Sequence, residues 1–149
     1  MPHSYCFSLY HCVFSTKDRR PLLVPEMRER LWAFLGGVAR DHAMTALMVG
    51  GMEDHDHLLL SLPAVKPVAT AMREIKGVSS HWLHQTFDMP HFGWQEGYGA
   101  FSIGMAQIEA TRAYIANQTE HHRKRDFQAE FVAMLNKHGI AYDPRYIWG

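Results

Sequence analysis

Three groups of residues carry side chains suited to chemistry. The first is His55-Asp56-His57, at the head of an apolar run that reads as a strand. Residues two apart on a strand point the same way, so both imidazoles would leave one face, close enough to hold one cation. Leu58, Leu60 and Leu62 then alternate onto the opposite face, with Asp56 at its edge. With 11 histidines in 149 residues, about one His-x-His pair is expected by chance. Spacing alone therefore leaves an incidental polar strand end as open as a metal site. The second group is Tyr114 and Gln118, four apart and so stacked neighbours on a helix. They belong to a polar stripe with Gln107, Thr111 and His121, while Met105, Ile108 and Ile115 mark an apolar side. A tyrosine on such a stripe is ordinarily a packing residue, and its position alone does not make it a nucleophile.

The third group is basic: Arg112, His121, His122, Arg123, Lys124 and Arg125. Four Lys/Arg against one Glu between Thr111 and Arg125 leave a local charge of +3, which suits phosphate contacts. The same pattern also suits a solvated helix end. Lys17, Arg19, Arg20, Arg28 and Arg30 form a second patch, diluted by Asp18, Glu26 and Glu29. Phe92, Trp94 and Tyr98 lie in a Gly-rich loop; such rings can stack on bases, but more often plug a loop onto a core. Lys76 is open between a phosphate contact and a solvated helix position.

The elements that must hold these groups follow from periodicity. Tyr5 to Phe14 reads as a strand, with Tyr5, Phe7, Leu9, His11 and Val13 on one face. A helix follows Pro25, marked by Met27, Leu31, Phe34, Leu35 and Val38. A strand pair spans Met44–Val49 and His55–Leu62, joined by a turn at Gly50-Gly51. A second helix carries Val68, Met72, Ile75, Ser79, Trp82 and Leu83, and a short strand covers Ala100–Ile103. A third helix is expected from Met105 to His121. A fourth starts near Asp126, with Phe127, Phe131, Met134 and Leu135 inward and Gly139 as its stop. The tail, with Tyr142, Tyr146 and Trp148, is expected to dock. The order predicts an α+β, ferredoxin-like βαββαβ antiparallel sheet with helices on one face, plus C-terminal helices carrying Tyr114. Residues 1–149 read as one domain.

Composition sets the bounds. The chain is 47% apolar and 12% aromatic, enough for a packed core, which excludes disorder as the main state. Fifteen Lys+Arg balance fifteen Asp+Glu, which excludes a uniformly basic binder but not a local basic site. No apolar run approaches a membrane span, and Met1-Pro2-His3-Ser4-Tyr5 shows no secretory pattern. Cys6 and Cys12, on one strand roughly 20 Å apart, are too far apart to bridge, which suits a reducing cytosol.

Together the segments HCVFSTKDRRPLL (11–23), GGMEDHDHLLLSLP (50–63), FGWQEGYGAFSIG (92–104), YIANQTEHHRKRDFQAEF (114–131) and HGIAYDPRYIW (138–148) resemble the single-tyrosine HUH transposases of small bacterial insertion sequences and their REP-associated relatives. HUH denotes His, a bulky hydrophobic residue, His; Asp56 departs from it, on the side away from the metal. The resemblance implies that His55, His57 and Gln118 ligate a divalent cation, Mg²⁺ or Mn²⁺, and that Tyr114 is the nucleophile. It implies cleavage and rejoining of single-stranded DNA through a 5′-phosphotyrosine, with recognition of hairpins at element ends. It also implies a homodimer sharing active sites between protomers, and a cytoplasmic, nucleoid-associated protein. Arg123, Lys124 and Arg125 are the first candidates for phosphate contacts. Structural zinc would need four closed N/S ligands; two paired imidazoles favour a hard cation completed by DNA phosphate. A non-catalytic DNA-hairpin or RNA-binding module, and a metal-dependent nuclease using water, remain the rival expectations.

Overall fold

The computed structural model describes residues 3–148. Four strands, β1 (Leu9–Ser15), β2 (Thr45–Gly51), β3 (His55–Ser61) and β4 (Gly99–Ser102), form one sheet in the order β2-β3-β1-β4. Every pairing is antiparallel. With α1 (Pro25–Asp41) and α2 (Val68–Thr86) as crossovers, this is the expected ferredoxin-like βαββαβ arrangement. Then follow α3 (Ile108–Ala116), α4 (Gln118–His121) and α5 (Phe127–Lys137).

Period-two alternation decides which residues meet which layer. Cys12, Phe14, Leu58 and Leu60 face α1 and α2, where Leu31, Leu35, Met72, Ile75 and Leu83 are buried against them. On the other face, Leu9 and Leu59 pack under Ile115 of α3. Val13 and Phe101 pack under Phe127, Phe131, Met134 and Leu135 of α5. The sheet is thus covered on both sides, and α5 completes the second cover. Gly99 makes that possible, because a Cβ there would lie 2.7 Å from the Phe131 ring. The stripe Phe127, Phe131, Met134, Leu135 is as expected, Asp126 caps α5 by accepting from the Ala129 N–H at 2.9 Å, and Gly139 ends it at φ 66°.

Several boundaries differ from expectation. β1 begins at Leu9 rather than Tyr5, because β3 and β4 offer pairing only from Leu9 and Tyr10 onward. Cys6 is consequently off the strand and exposed, while Cys12 is buried; both are free thiols. Gly50 and Gly51 are ladder residues of β2, opposite His57 and Asp56, and the turn is Met52–Asp54. A side chain at Gly51 would sit 2.3 Å from both Asp56 Oδ1 and the His55 carbonyl. The expected 105–121 helix is broken into a 3₁₀ turn (Met105–Gln107), α3 and α4, with Asn117 at φ −101°, ψ 30° between the last two. β2 also carries a bulge between Ala46 and Met48, which turns both Leu47 and Met48 toward α3.

The tail docks through Ile147 and Trp148, which pack on the α5 cluster. The Arg19 guanidinium lies 5.3 Å over the Trp148 ring. Tyr142 and Tyr146 stay exposed. The 90–99 loop takes the structural role: Phe92 and Trp94 are buried, and Trp94 donates to Ser79 Oγ at 3.0 Å. Lys76 Nζ donates to the carbonyls of Gln95, Glu96 and Gly97 at 2.5, 3.1 and 2.9 Å, pinning that loop.

Candidate active site

β3 is the central positioning element. Paired on both sides, it holds His55 and His57 on the face toward α3 and α5, with neither side chain exposed. His55 Nδ1 donates to Asp54 Oδ1 at 2.7 Å, which aims Nε2 at Gln118 Oε1, 3.0 Å away. His57 Nδ1 meets His11 Nε2 of β1 at 2.8 Å, and His57 Nε2 meets Glu130 Oε1 of α5 at 3.1 Å. Tyr114, half-buried on α3, donates its hydroxyl to Glu130 Oε2. Gln118 is buried at the start of α4, where its Nε2 donates to the Tyr114 carbonyl at 3.3 Å. The kink at Asn117 lets α3 present the phenol while α4 turns the amide toward His55.

The structure therefore brings His55, His57, Tyr114 and Gln118 into one site. It also adds three residues. Glu130 is fully buried at the centre: the Nε2 atoms of His55, His57 and His122 lie 3.4, 3.1 and 3.3 Å from its Oε1. His122 Nε2 is also 3.1 Å from Gln118 Oε1. His11 backs His57. Glu130 had a visible signal, a lone carboxylate at position i+3 within the apolar stripe Phe127, Phe131, Met134. His11 shares a strand face with Leu9 and Val13, which is signal enough for burial but not for contact with His57.

Electrostatics follow from this crowding. Burial pushes His57 down to about 4, despite its bond to Glu130. His11 falls to about 3 through burial and the neighbouring His57. Burial alone would lower His55 too, but the Asp54 hydrogen bond and the Glu130 charge leave it raised. Burial would raise Glu130, yet hydrogen bonds from His122 and His57 hold it far below the ordinary carboxylate range. Burial, then Glu130, raises Tyr114, so it rests as a neutral phenol. Asp56 is on the opposite face, as expected for a residue off the metal side. Its Oδ1 accepts from Trp32 Nε1 at 3.2 Å, while its buried Oδ2 has no partner among the described residues.

The donors fit a divalent cation. One ligand atom each from His55, His122 and Glu130 lies within 4.8 Å of the others, and Gln118 Oε1 adds a fourth. Of the three basic candidates, only Arg125 lines the groove of about 380 Å³ onto which Tyr114 opens, with His11, Lys137 and His138. Lys124 lies with Arg125 on a neighbouring hollow, and Arg123 is exposed, 3.3 Å from Glu120. The tyrosine helix reaches the histidines of its own chain, so the expected exchange between protomers is not needed to assemble the site.

The ferredoxin-like sheet thus carries two buried histidines beneath a tyrosine-bearing helix. The family described as Transposase IS200 like matches residues 5–118, and the chain belongs to it. It is 29% identical over 117 residues to the transposase for insertion sequence element IS200 of Salmonella typhimurium, covering 74% of this chain and 76% of that one. It is 30% identical over 77 residues to the ISDra2 transposase TnpA of Deinococcus radiodurans, covering 51% and 55% of the two chains. Its fold is similar to that of a REP-associated tyrosine transposase bound to a REP hairpin, with TM-score 0.59 and 20% identity over 80% of this chain and 72% of the other. A transposase-candidate structure from Deinococcus radiodurans aligns with TM-score 0.64 and 24% identity, over 78% of this chain and 95% of the other. Among the described residues, no helix is long and apolar enough to cross a membrane.

Proposed function

We propose that this transposase cleaves and rejoins single-stranded DNA with Tyr114 as nucleophile, and that it recognises a DNA hairpin at its element's ends. The observation that carries the reading is the meeting of the Tyr114 hydroxyl and the His57 imidazole on one buried carboxylate, Glu130. A cation held by His55, His57 and Gln118, Mg²⁺ or Mn²⁺, would supply Lewis-acid polarisation and orientation of the scissile phosphate. The chain's own residues do the rest. Glu130 fixes the direction of the phenol, and its strongly acidic character suits it to holding the hydroxyl rather than keeping the proton. As its oxygen bonds to phosphorus, Tyr114 releases that proton to water, and water returns one to the departing 3′ oxygen, so the exchange balances. The P–O3′ bond breaks, the 3′ oxygen leaves as a hydroxyl, and the 5′ end stays on Tyr114 as a phosphotyrosine. A second 3′-OH then reverses the step and joins strands without another energy source.

The groove beside Tyr114 is the approach for the DNA phosphate, with Arg125 and Lys137 as its cations. A few local charges suffice for a hairpin and its flanking strand, which accords with balanced overall charge. The hairpin-bound relative supports this substrate class. The protein would act on cytoplasmic, nucleoid DNA. Dimerisation is compatible with the fold, and on the reading that Tyr114 and the histidines of one chain work together, protomers do not share sites. Mixing His57→Ala with Tyr114→Phe protein therefore gives no rescue, whereas shared sites would restore cleavage.

The deciding assay runs labelled single-stranded hairpin DNA with protein and Mn²⁺ on a denaturing gel. The expected result is a covalent protein–DNA band that Tyr114→Phe abolishes while hairpin binding persists. Cleaved DNA without attached protein would indicate water as the nucleophile, and binding without cleavage would indicate a recognition module. Either outcome overturns the reading.

A further inference from the structure

The distances around Glu130 have the form of a coordination polyhedron. Four donor atoms make a closed ring: His55 Nε2 to Gln118 Oε1, 3.0 Å; Gln118 Oε1 to His122 Nε2, 3.1 Å; His122 Nε2 to Glu130 Oε1, 3.3 Å; and Glu130 Oε1 to His55 Nε2, 3.4 Å. Donors bound at about 2.1 Å to one cation stand about 3.0 Å apart at right angles and about 3.4 Å apart at tetrahedral angles. All four edges fall in that interval. His57 Nε2 stands 3.1 Å from the same Oε1. The orientation of the rings agrees. With Nδ1 held by Asp54, Nε2 is the ring atom that faces Gln118 Oε1 and Glu130 Oε1, the orientation a cation ligand needs.

We propose that His122 and Glu130 are cation ligands in this protein, in addition to the histidine pair and Gln118. Both lie beyond residue 118, where the match to the family ends. The proposal rests on the reading that a cation serves this site. The imidazoles of His55 and His122, with the Glu130 carboxylate and the Gln118 amide oxygen, make a shell of mixed nitrogen and oxygen donors, which favours first-row divalent ions such as Mn²⁺ over Mg²⁺. Glu130 then has two duties on its two oxygens: Oε1 toward the cation and Oε2 accepting from the Tyr114 hydroxyl. Because α5 supplies it, the helix that covers the sheet also completes the shell.

The test is Mn²⁺ binding in the absence of DNA, followed by electron paramagnetic resonance, with pulsed spectra counting coupled imidazole nitrogens. The protein is compared with His122→Ala, Glu130→Gln and, as an exposed control, Glu120→Gln. Expected are one tight Mn²⁺, an imidazole coupling lost in His122→Ala, and affinity lower by at least about tenfold in both site variants. Excess Mg²⁺ should displace the ion poorly. Glu130→Gln preserves shape, and its metal-free melting curve reports folding separately. Unchanged coupling in His122→Ala together with unchanged affinity in Glu130→Gln would overturn the proposal and leave the reading of His55, His57 and Gln118 standing. Failure of the parent protein to bind Mn²⁺ would overturn both.

Discussion

Replacing Asp56 by Asn should make the protein more stable at pH 8 than its parent, by a margin that shrinks on acidification. Asp56 is fully buried, and burial raises its carboxyl from 3.8 to about 7, with Trp32 as a partial offset. The folded state thus binds this proton more tightly than the unfolded chain. A raised carboxyl contributes stability that is fully present below 3.8 and is lost as pH rises through about 7. The full span is about 4 kcal/mol, of which about 3 kcal/mol falls between pH 5 and 8. Asn keeps the volume and the Trp32 hydrogen bond but does not titrate. The stability difference between Asn variant and parent should therefore grow by about 3 kcal/mol from pH 5 to 8. With an m-value of about 2 kcal/mol/M, the urea midpoints should separate by about 1.5 M more at pH 8. Urea titrations of both proteins at each pH cancel the histidine contributions they share. A separation that stays constant across this range would refute the reasoning, because the carboxyl would then titrate alike in both states.

A Cβ on Gly50 would lie 2.7 Å from the Ile115 carbonyl and 2.9 Å from its Cγ2. Gly50→Ala should push α3 off the sheet and reduce covalent adduct formation by at least about tenfold, while hairpin binding holds; single-turnover cleavage and a gel-shift measure the two. Gly36, within α1, has no heavy atom within 4 Å of such a Cβ. Gly36→Ala should instead raise stability by about 0.5–1 kcal/mol, read as a higher melting temperature. Lys76→Met removes three donor contacts to residues 95–97. Limited proteolysis within that loop should then accelerate about tenfold.

The strands and helices that build the sheet and its first cover were readable because their periods are clean. Leu58 and Leu60 alternate with His57 and Leu59, and Met27, Leu31, Leu35 and Val38 recur at helical spacing. Strand ends were less readable, since residues 5–8 look like a strand and lack only a neighbour to pair with. Gly50-Gly51 reads as a turn because local propensity cannot see that close approach to Asp56 and Ile115 needs small residues there. At the site, four side chains were nameable from type and family pattern. Glu130 stood out as a charge inside an apolar stripe, but its role makes sense only once α5 is laid over β3. His122 stood in a run of basic residues, which left it open between a phosphate contact and a solvated helix end with Arg123 and Lys124, and neither reading puts it beside Glu130. The polar stripe around Tyr114 gave no warning of the bend at Asn117, which is set by where Gln118 must reach.

β3 carries its ionisable groups on alternating sides: two imidazoles toward one layer and Asp56 toward the other. Sliding the strand by a single residue would exchange them. Both imidazoles would be driven among the leucines of α1, and Asp56 would land opposite Glu130, repelling it. Misalignment is thus punished in two currencies at once, lost apolar contact and stranded charge. The same alternation that lays out the reaction centre acts as a proofreading ruler while the chain assembles.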